Sequence, residues 1–351
     1  MKVTTMQWST LLIGSLVLSN TGGALPPTLS ELHEKASASL RKATTYIKSQ
    51  QNKDGGFSLL PGGPSGTEET AWAILALATL PRATGLLSDR SWRNENKETL
   101  DILYHAFTWL KSQQDLNGDF DGNTAHTAFA VLASATLHID SSELQLHAKK
   151  WLQQVQQKDS GWSRTETGES MTIYTGLVSA THHLLEPDNE RNLTSPLATQ
   201  WLVKAQNKDG GWGMKTAKVS STAATAWALL GFSHLPHINE TYHRGKHWLL
   251  EAQNNNGGFG IMPDAPSDPE LTAYALRALI ARCMDEDALR QSIVYLIKTQ
   301  ELDGAWASMI PIELKEPHSN LQTTCFCTWA LADWKSTQHL KIKNSTHGAD
   351  K

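Results

Sequence analysis

The sequence predicts an all-α protein, an (α/α)6 barrel or toroid in which six helical hairpins close into a double-layered ring. Two observations predict it. A turn of the form Gln-x-x-x-Gly-x-aromatic is written six times: QNKDGGF from Gln51, QDLNGDF from Gln114, QQKDSGW from Gln156, QNKDGGW from Gln206, QNNNGGF from Gln253 and QELDGAW from Gln300, with only Ser160 breaking the frame. Successive glutamines are 63, 42, 50, 47 and 47 residues apart, the range in which internal repeats mean stacked supersecondary units rather than separate domains. The second observation is the pair of segments around each turn, one amphipathic before it and one apolar after it.

Taken in order, the chain opens with Lys2 and an apolar run over residues 8–18, followed by small residues to Ala24. This reads as a signal peptide over residues 1–24, which places the remainder outside the cytoplasm, periplasmic or extracellular. The run is too short to span a bilayer. A single domain is expected over 25–335, then a polar, frayed tail over 336–351. With 351 residues, 40% of them hydrophobic, and a net charge of −4, the chain can bury a large core and shows no basic bias toward nucleic acid.

Each outer segment ends in an aromatic and an aliphatic residue: Tyr46-Ile47, Trp109-Leu110, Trp151-Leu152, Trp201-Leu202, Trp248-Leu249 and Tyr295-Leu296. Interleaved charges make these amphipathic helices with one buried stripe. The glycines that follow supply left-handed backbone that stops the helix. The turn glutamine is placed to hydrogen-bond loop backbone that would otherwise be unsatisfied.

The inner segments begin at Glu69, His126, Met171, Ala224, Leu271 and Thr323, and are apolar nearly all round. Such helices must be covered on every side. An open row would leave one face in water, so closure into a ring is expected. Links at 81–97 and 186–191 interrupt the rhythm. The sixth loop, from Ala307 to Thr323, is the longest and carries Pro311, Pro317 and His318, which makes it a candidate lid. Three cysteines, Cys283, Cys325 and Cys327, form no disulfide framework, and the last two point to different faces of one helix. His182-His183 read as surface histidines.

Positions the ring needs should recur, and a reactive site should break the symmetry. An aromatic two residues after a shared threonine recurs as Trp72, Phe129, Tyr174, Trp227, Tyr274 and Phe326; these are expected to pack between the two layers. The residue just before that threonine differs in every copy: Glu69, His126, Met171, Ala224, Leu271 and Thr323. It lies at a helix N-terminus, where carboxylates are stabilised by the dipole. The first-turn acids Glu68, Glu69 and Glu270 can be plain helix-start residues or functional ones. Glu69 and His126 belong to neighbouring repeats and are expected side by side at one end of the cavity, where a carboxylate raises an imidazole's pKa. Adjacent Glu68 and Glu69 would push one pKa upward, although consecutive residues diverge by about 100°.

With the six glutamine-tryptophan-type turns and Thr-Ala-aromatic helix starts, residues 30–334 resemble the family of squalene cyclases and protein prenyltransferase β-subunits, which implies an α/α toroid. Protein prenyltransferases hold zinc through an Asp, a Cys and a His; here Leu271, Ala273 and Thr323 stand at those positions, so the resemblance implies no metal. Class II terpene cyclases carry Asp-x-Asp-Asp-Thr-Ala, whose middle Asp is the acid. Gly66-Thr67-Glu68-Glu69-Thr70-Ala71 keeps the last two acidic positions and Asp268-Pro269-Glu270-Leu271-Thr272-Ala273 the first two. The Cys-Gly-Glu-Gln of complement-type thioester domains is absent.

The resemblance therefore implies a single toroid that handles an isoprenoid or other apolar ligand in its cavity, by acid-initiated cyclisation or isomerisation. Glu68, Glu69, Asp268 and Glu270 are the candidate acids, His126 is the partner or base, and no cofactor is implied. One alternative is a secreted binding module for a peptide, glycan or lipid. Another is a polysaccharide lyase, for which Arg277 is the only basic residue in the inner-helix signatures.

Overall fold

The computed structural model describes residues 27–84, 96–137, 141–185, 194–233, 235, 240–282, 286–309 and 318–347. Outer helices are α1 (Leu29–Ser49), α3 (Lys97–Ser112), α5 (Ser142–Gln154), α7 (Thr194–Ala205), α9 (Glu240–Glu251) and α11 (Glu286–Thr299). Inner helices are α2 (Thr67–Thr84), α4 (Thr124–Thr136), α6 (Thr172–Leu185), α8 (Thr222–Phe232), α10 (Pro269–Arg282) and α12 (Leu321–His347). Each inner helix packs on the next and α12 packs on α2, so the inner row is a closed ring. The outer helices cover it, and α1 packs on both α11 and α12.

Side-chain pattern explains which helix goes where. In α1, Leu32, Ala36, Leu40, Ala43 and Ile47 form one buried stripe, and Thr28 with Glu31 closes a capping box at its start. In α8 every residue except Ala223 is buried. Ile47, Leu110, Leu152, Leu202, Leu249 and Leu296, the aliphatic residues ending the outer helices, are all fully buried.

The repeated turn joins neighbours. Gln51 Nε2 donates to Gly55 O at 2.9 Å within its own turn and to Ile102 O at 3.0 Å in the next outer helix. Gln206 does the same with Gly210 and Thr241, and Gln253 with Gly257 and Ala288. Gln300 Nε2 bonds Gly304 O at 2.9 Å and, back at the start of the chain, Ser39 O at 3.0 Å. The sixth repeat thus treats the first as its successor. The first turn glycine takes φ near +95° in Gly55 and Gly210, and Ser160 adopts φ 74° in the same slot. A Cβ on the second glycine, at Gly211, would stand 2.8 Å from the Trp248 ring of the next outer helix.

Each turn aromatic is locked to the inner helix that follows. The backbone N–H of Phe57, Phe120, Trp162, Trp212, Phe259 and Trp306 donates to the hydroxyl of Thr70, Thr127, Thr175, Thr225, Thr272 and Thr324. This corrects the third repeat: its anchoring threonine is Thr175, 13 residues after Trp162, whereas Thr172 donates to Gly213 O as Thr222 does to Gly260 O. The third copy therefore presents Tyr174 before the threonine and Leu177 two residues after it.

Two further differences concern the C-terminal part. The helix α12 continues to His347 instead of fraying after residue 335. In the sixth loop β1 (Ala307–Ser308) pairs antiparallel with β2 (His318–Ser319), while 310–317, with Pro311 and Pro317, lies outside the described residues. So do residues 1–24, most of the 81–97 link, the 186–191 link and Cys283; the side chains of His182 and His183 are likewise outside. Cys325 and Cys327 are buried and free. No described helix is long and apolar enough to cross a membrane.

Candidate active site

The anchoring threonines set one register for the ring. Two residues before them come Glu68, Ala125, Ile173, Ala223, Glu270 and Gln322; one helical turn further come Trp72, Phe129, Leu177, Trp227, Tyr274 and Phe326. Residues four apart share a face. The second set meets across the ring: the Phe129 ring centroid lies 5.7 Å from Trp227 and 6.0 Å from Phe326, Trp227 lies 6.5 Å from Phe326, and Trp72 and Tyr274 flank Phe326 at 5.6 and 4.7 Å. Because α4, α8 and α12 are not neighbours in the ring, these positions face the axis. The aromatics do not pack between the layers; they pack on one another as a floor across the lumen. Tyr174 belongs to the rim, and Leu177 takes its place in the floor set.

Above that floor, repeats five, six, one and two follow one another around the ring, and their first-turn side chains form an arc. Glu270 Oε1 accepts from Tyr274 Oη at 2.5 Å and from Gln322 Nε2 at 2.7 Å, and Glu270 Oε2 accepts from Thr323 Oγ1 at 2.7 Å. Further along, Glu68 Oε2 lies 3.4 Å from His126 Nε2, and Asp121 Oδ2 lies 2.8 Å from His126 Nδ1. The imidazole's carboxylate neighbours are thus Glu68 and Asp121. Glu69, expected beside it, points back toward Gly66, where a Cβ would stand 2.1 Å from its Oε2. The reason is an empty slot: Gly66 sits where Asn123, Ser221, Asp268 and Asn320 cap four of the other inner helices.

Asp268 occupies that capping slot in repeat five. Its Oδ1 accepts from Glu270 N at 2.8 Å and Leu271 N at 3.3 Å, as Asn123 Oδ1 and Asn320 Oδ1 accept from Ala125 N and Thr323 N. The other oxygen accepts from Ser308 Oγ at 2.8 Å and Met309 N at 3.2 Å, which ties the sixth loop to α10. Asp268→Ala is expected to cost about 1–2 kcal/mol. Asp268→Asn keeps the capping oxygen but turns an amide N–H toward Met309 N, so it should recover only part of the loss. A thermal melt of both variants reads the difference, and equal losses would argue against the capping role.

The electrostatics separate the two ends of the arc. Glu270 is fully buried, and that burial lifts its carboxyl from 4.5 to about 7, against the lowering effect of the Tyr274, Thr323 and Gln322 donors. Burial, then the Glu270 charge, pushes the Tyr274 phenol well up. For His126 burial alone would lower the pKa, but the bonds and charges of Glu68 and Asp121 outweigh it and hold the imidazole above its ordinary value. Burial raises Glu69, helped by the charge of Glu68. The Glu68 and His126 side chains keep 23% and 21% of their exposure, so this end of the arc meets solvent. In the floor, Trp72 Nε1 is buried with no acceptor among the described residues.

Sequence reasoning missed Asp121, Tyr274 as a partner of Glu270, and Gln322. Tyr274 was visible as the residue four after Glu270 on one helix. Asp121 was not, because its orientation depends on a left-handed backbone, φ 57°, in a short loop.

The fold recurs in solved structures. A protein from Actinoplanes aligns with a TM-score of 0.65 and 16% identity over 85% of this chain and 99% of its own. A variant of the type II terpene cyclase MstE from Scytonema, in complex with its substrate geranylgeranyl dihydroxybenzoate, gives 0.67 and 16% over 88% and 99%. A glycosyl hydrolase of family 88 from Bacteroides vulgatus gives 0.65 and 10% over 86% and 99%. At these identities the likeness is one of fold, which carries several chemistries. No curated protein matches the chain by sequence. The model of the prenyltransferase alpha-alpha toroid domain matches residues 27–292 and 199–347, and the chain belongs to that family.

Proposed function

We propose that this toroid is a terpene-cyclase-like enzyme that binds one end of a linear isoprenoid, or another apolar alkene, at the mouth of the ring and isomerises or cyclises it by proton transfer. The observation that carries this reading is Glu270: a fully buried carboxyl, held near pKa 7, beside an aromatic floor. Near neutral pH such a group is present in part as the acid, because burial keeps solvent from stabilising its anion. In the ionised carboxylate Oε1 accepts from the Tyr274 phenol and Oε2 from the Thr323 hydroxyl; protonated at Oε1 it donates to the phenol instead, so both states are satisfied.

In this mechanism the proton leaves Glu270 through its short contact with the Tyr274 phenol and adds to the substrate alkene. The ring faces of Trp72, Tyr274 and Phe326 lie where positive charge would develop. Glu68, held by His126 and Asp121, takes a proton from the product cation and gives it up to solvent at the open mouth, and Glu270 regains its proton through Tyr274 once product has left, so the cycle is an isomerisation with no net proton change. Asp268 and Glu69 act at the helix starts rather than on substrate. Residues 1–24 favour a site of action outside the cytoplasm.

The test is incubation of the purified protein with linear isoprenoids and mass spectrometry of the extract. A product of unchanged mass and new retention time is expected from the wild type, and absent from Glu68→Gln. No product across a panel of chain lengths would sink the proposal. The close ring contacts across the axis favour a second reading, capture of an apolar group at the mouth without chemistry; it predicts saturable binding with no turnover.

A further inference from the structure

Beneath the aromatic floor the lumen carries a charged group that the mouth does not use. Five residues after each anchoring threonine, the inner helices contribute Leu75, Leu132, Ala180, Leu230, Arg277 and Trp329, on the same face as the floor residues one turn above. The layer is apolar except for Arg277. Its guanidinium lies 3.2 Å from the Trp329 ring centroid, and Nε donates to Asp333 Oδ2 at 3.1 Å. Nη1 is buried and has no acceptor among the described residues, and only 10% of the side chain is exposed. Buried donors in native proteins are almost always paired, and an orphan calls for a missing acceptor.

The surroundings define that acceptor. Leu132, Leu230 and Trp329 retain 7–8% exposure and the Asp333 side chain 32%, so water-sized space reaches this layer. Asp333 already balances the guanidinium charge, and a second anion would leave uncompensated charge in an apolar site. We propose that this lower chamber binds an apolar chain ending in one uncharged oxygen, an alcohol or a carbonyl, which accepts a hydrogen bond from Arg277 Nη1. The chain lies on Leu132, Leu230 and the face of Trp329. From Glu270 to Arg277 is two helical turns, about 10 Å, with the floor between them, so the chamber is separate from the mouth and does not rest on the proton chemistry.

Binding of farnesol, farnesene and farnesoate to the full chain, followed by isothermal titration calorimetry, tests it. Farnesol is expected to bind at least roughly tenfold tighter than farnesene, with farnesoate weakest, and Glu270→Gln should leave this order unchanged. In the charge-balanced double variant Arg277→Gln/Asp333→Asn the alcohol should fall to the affinity of the hydrocarbon. In Asp333→Asn, which keeps the arginine and frees its charge, farnesoate should become the best ligand. Equal binding of farnesol and farnesene to the wild type would overturn the proposal. So would an unchanged preference for farnesol in the folded double variant, or farnesoate remaining weakest in Asp333→Asn.

Discussion

Glu270→Gln is expected to lower the rate of product formation by about a hundredfold or more while making the protein more stable at alkaline pH. The rate follows from loss of the acid: positioned general acids contribute about 10²–10⁴-fold, and an amide has no proton to give. The stability follows from linkage. The folded-state pKa is raised from 4.5 to about 7, so the carboxyl's favourable contribution is complete below pH 4.5 and is lost as pH rises through 7. Above that, the buried anion costs on the order of 3 kcal/mol relative to the unfolded chain. The glutamine oxygen can still accept from the Tyr274 phenol and Gln322, its amide N–H can donate to the Thr323 hydroxyl, and it does not titrate. Urea unfolding at pH 4.5 and pH 8 measures both curves: the variant should gain on the wild type only at pH 8. A constant offset between them at the two pH values would refute the assignment.

Trp212→Ala is expected to cost about 3–5 kcal/mol, the usual toll of emptying a large aromatic site in a core. Trp212 is fully buried, its Nε1 donates to Leu202 O at 2.8 Å, and Gly245 of α9 lies against it so closely that a Cβ there would stand 2.3 Å from the ring. Trp212→Phe should cost less, about 1–2 kcal/mol, because Phe57, Phe120 and Phe259 fill the same slot in three other copies and the loss is mainly one hydrogen bond and some volume. Chemical denaturation separates the two. Similar losses for Ala and Phe would mean that the hydrogen bond, and not the packing, carries the site.

Much of the ring was legible because its parts repeat. In every copy the turn glutamine bonds the carbonyl four residues on, and the aromatic N–H bonds the threonine hydroxyl, so the six copies corroborate one another. The third repeat slipped because Thr172 and Thr175 are three residues apart and Tyr174 follows the wrong one by two; only the N–H of Trp162 chooses between them. The site was legible as a list of acids but not as an arrangement. Whether Glu68 or Glu69 meets His126 turns on a rotation of about 100°, and Gly66 settles it by leaving a capping slot that Glu69 fills. Asp268 reads in sequence as half of an acid motif, while its Oδ1 makes the same helix-start bonds as Asn123 and Asn320. The value of Glu270 lies in its burial under Gln322 and Thr323, contacts 52 and 53 residues distant in sequence.

The bond from Gln300 to Ser39 has a topological corollary. Outer helices run toward the mouth and inner helices away from it, so α1 starts and α12 ends at the same pole; there the His33 ring meets Trp334 at a tilt of 43° with centroids 4.6 Å apart, and Lys335 Nζ contacts Ser37 Oγ. A ring whose sixth unit greets its first with the same bond that links the others has no intrinsic beginning. The chain order is then a matter of where the gene is cut, and a circular permutant joined at that pole and opened in the link after α2 should assemble the same six-unit wheel.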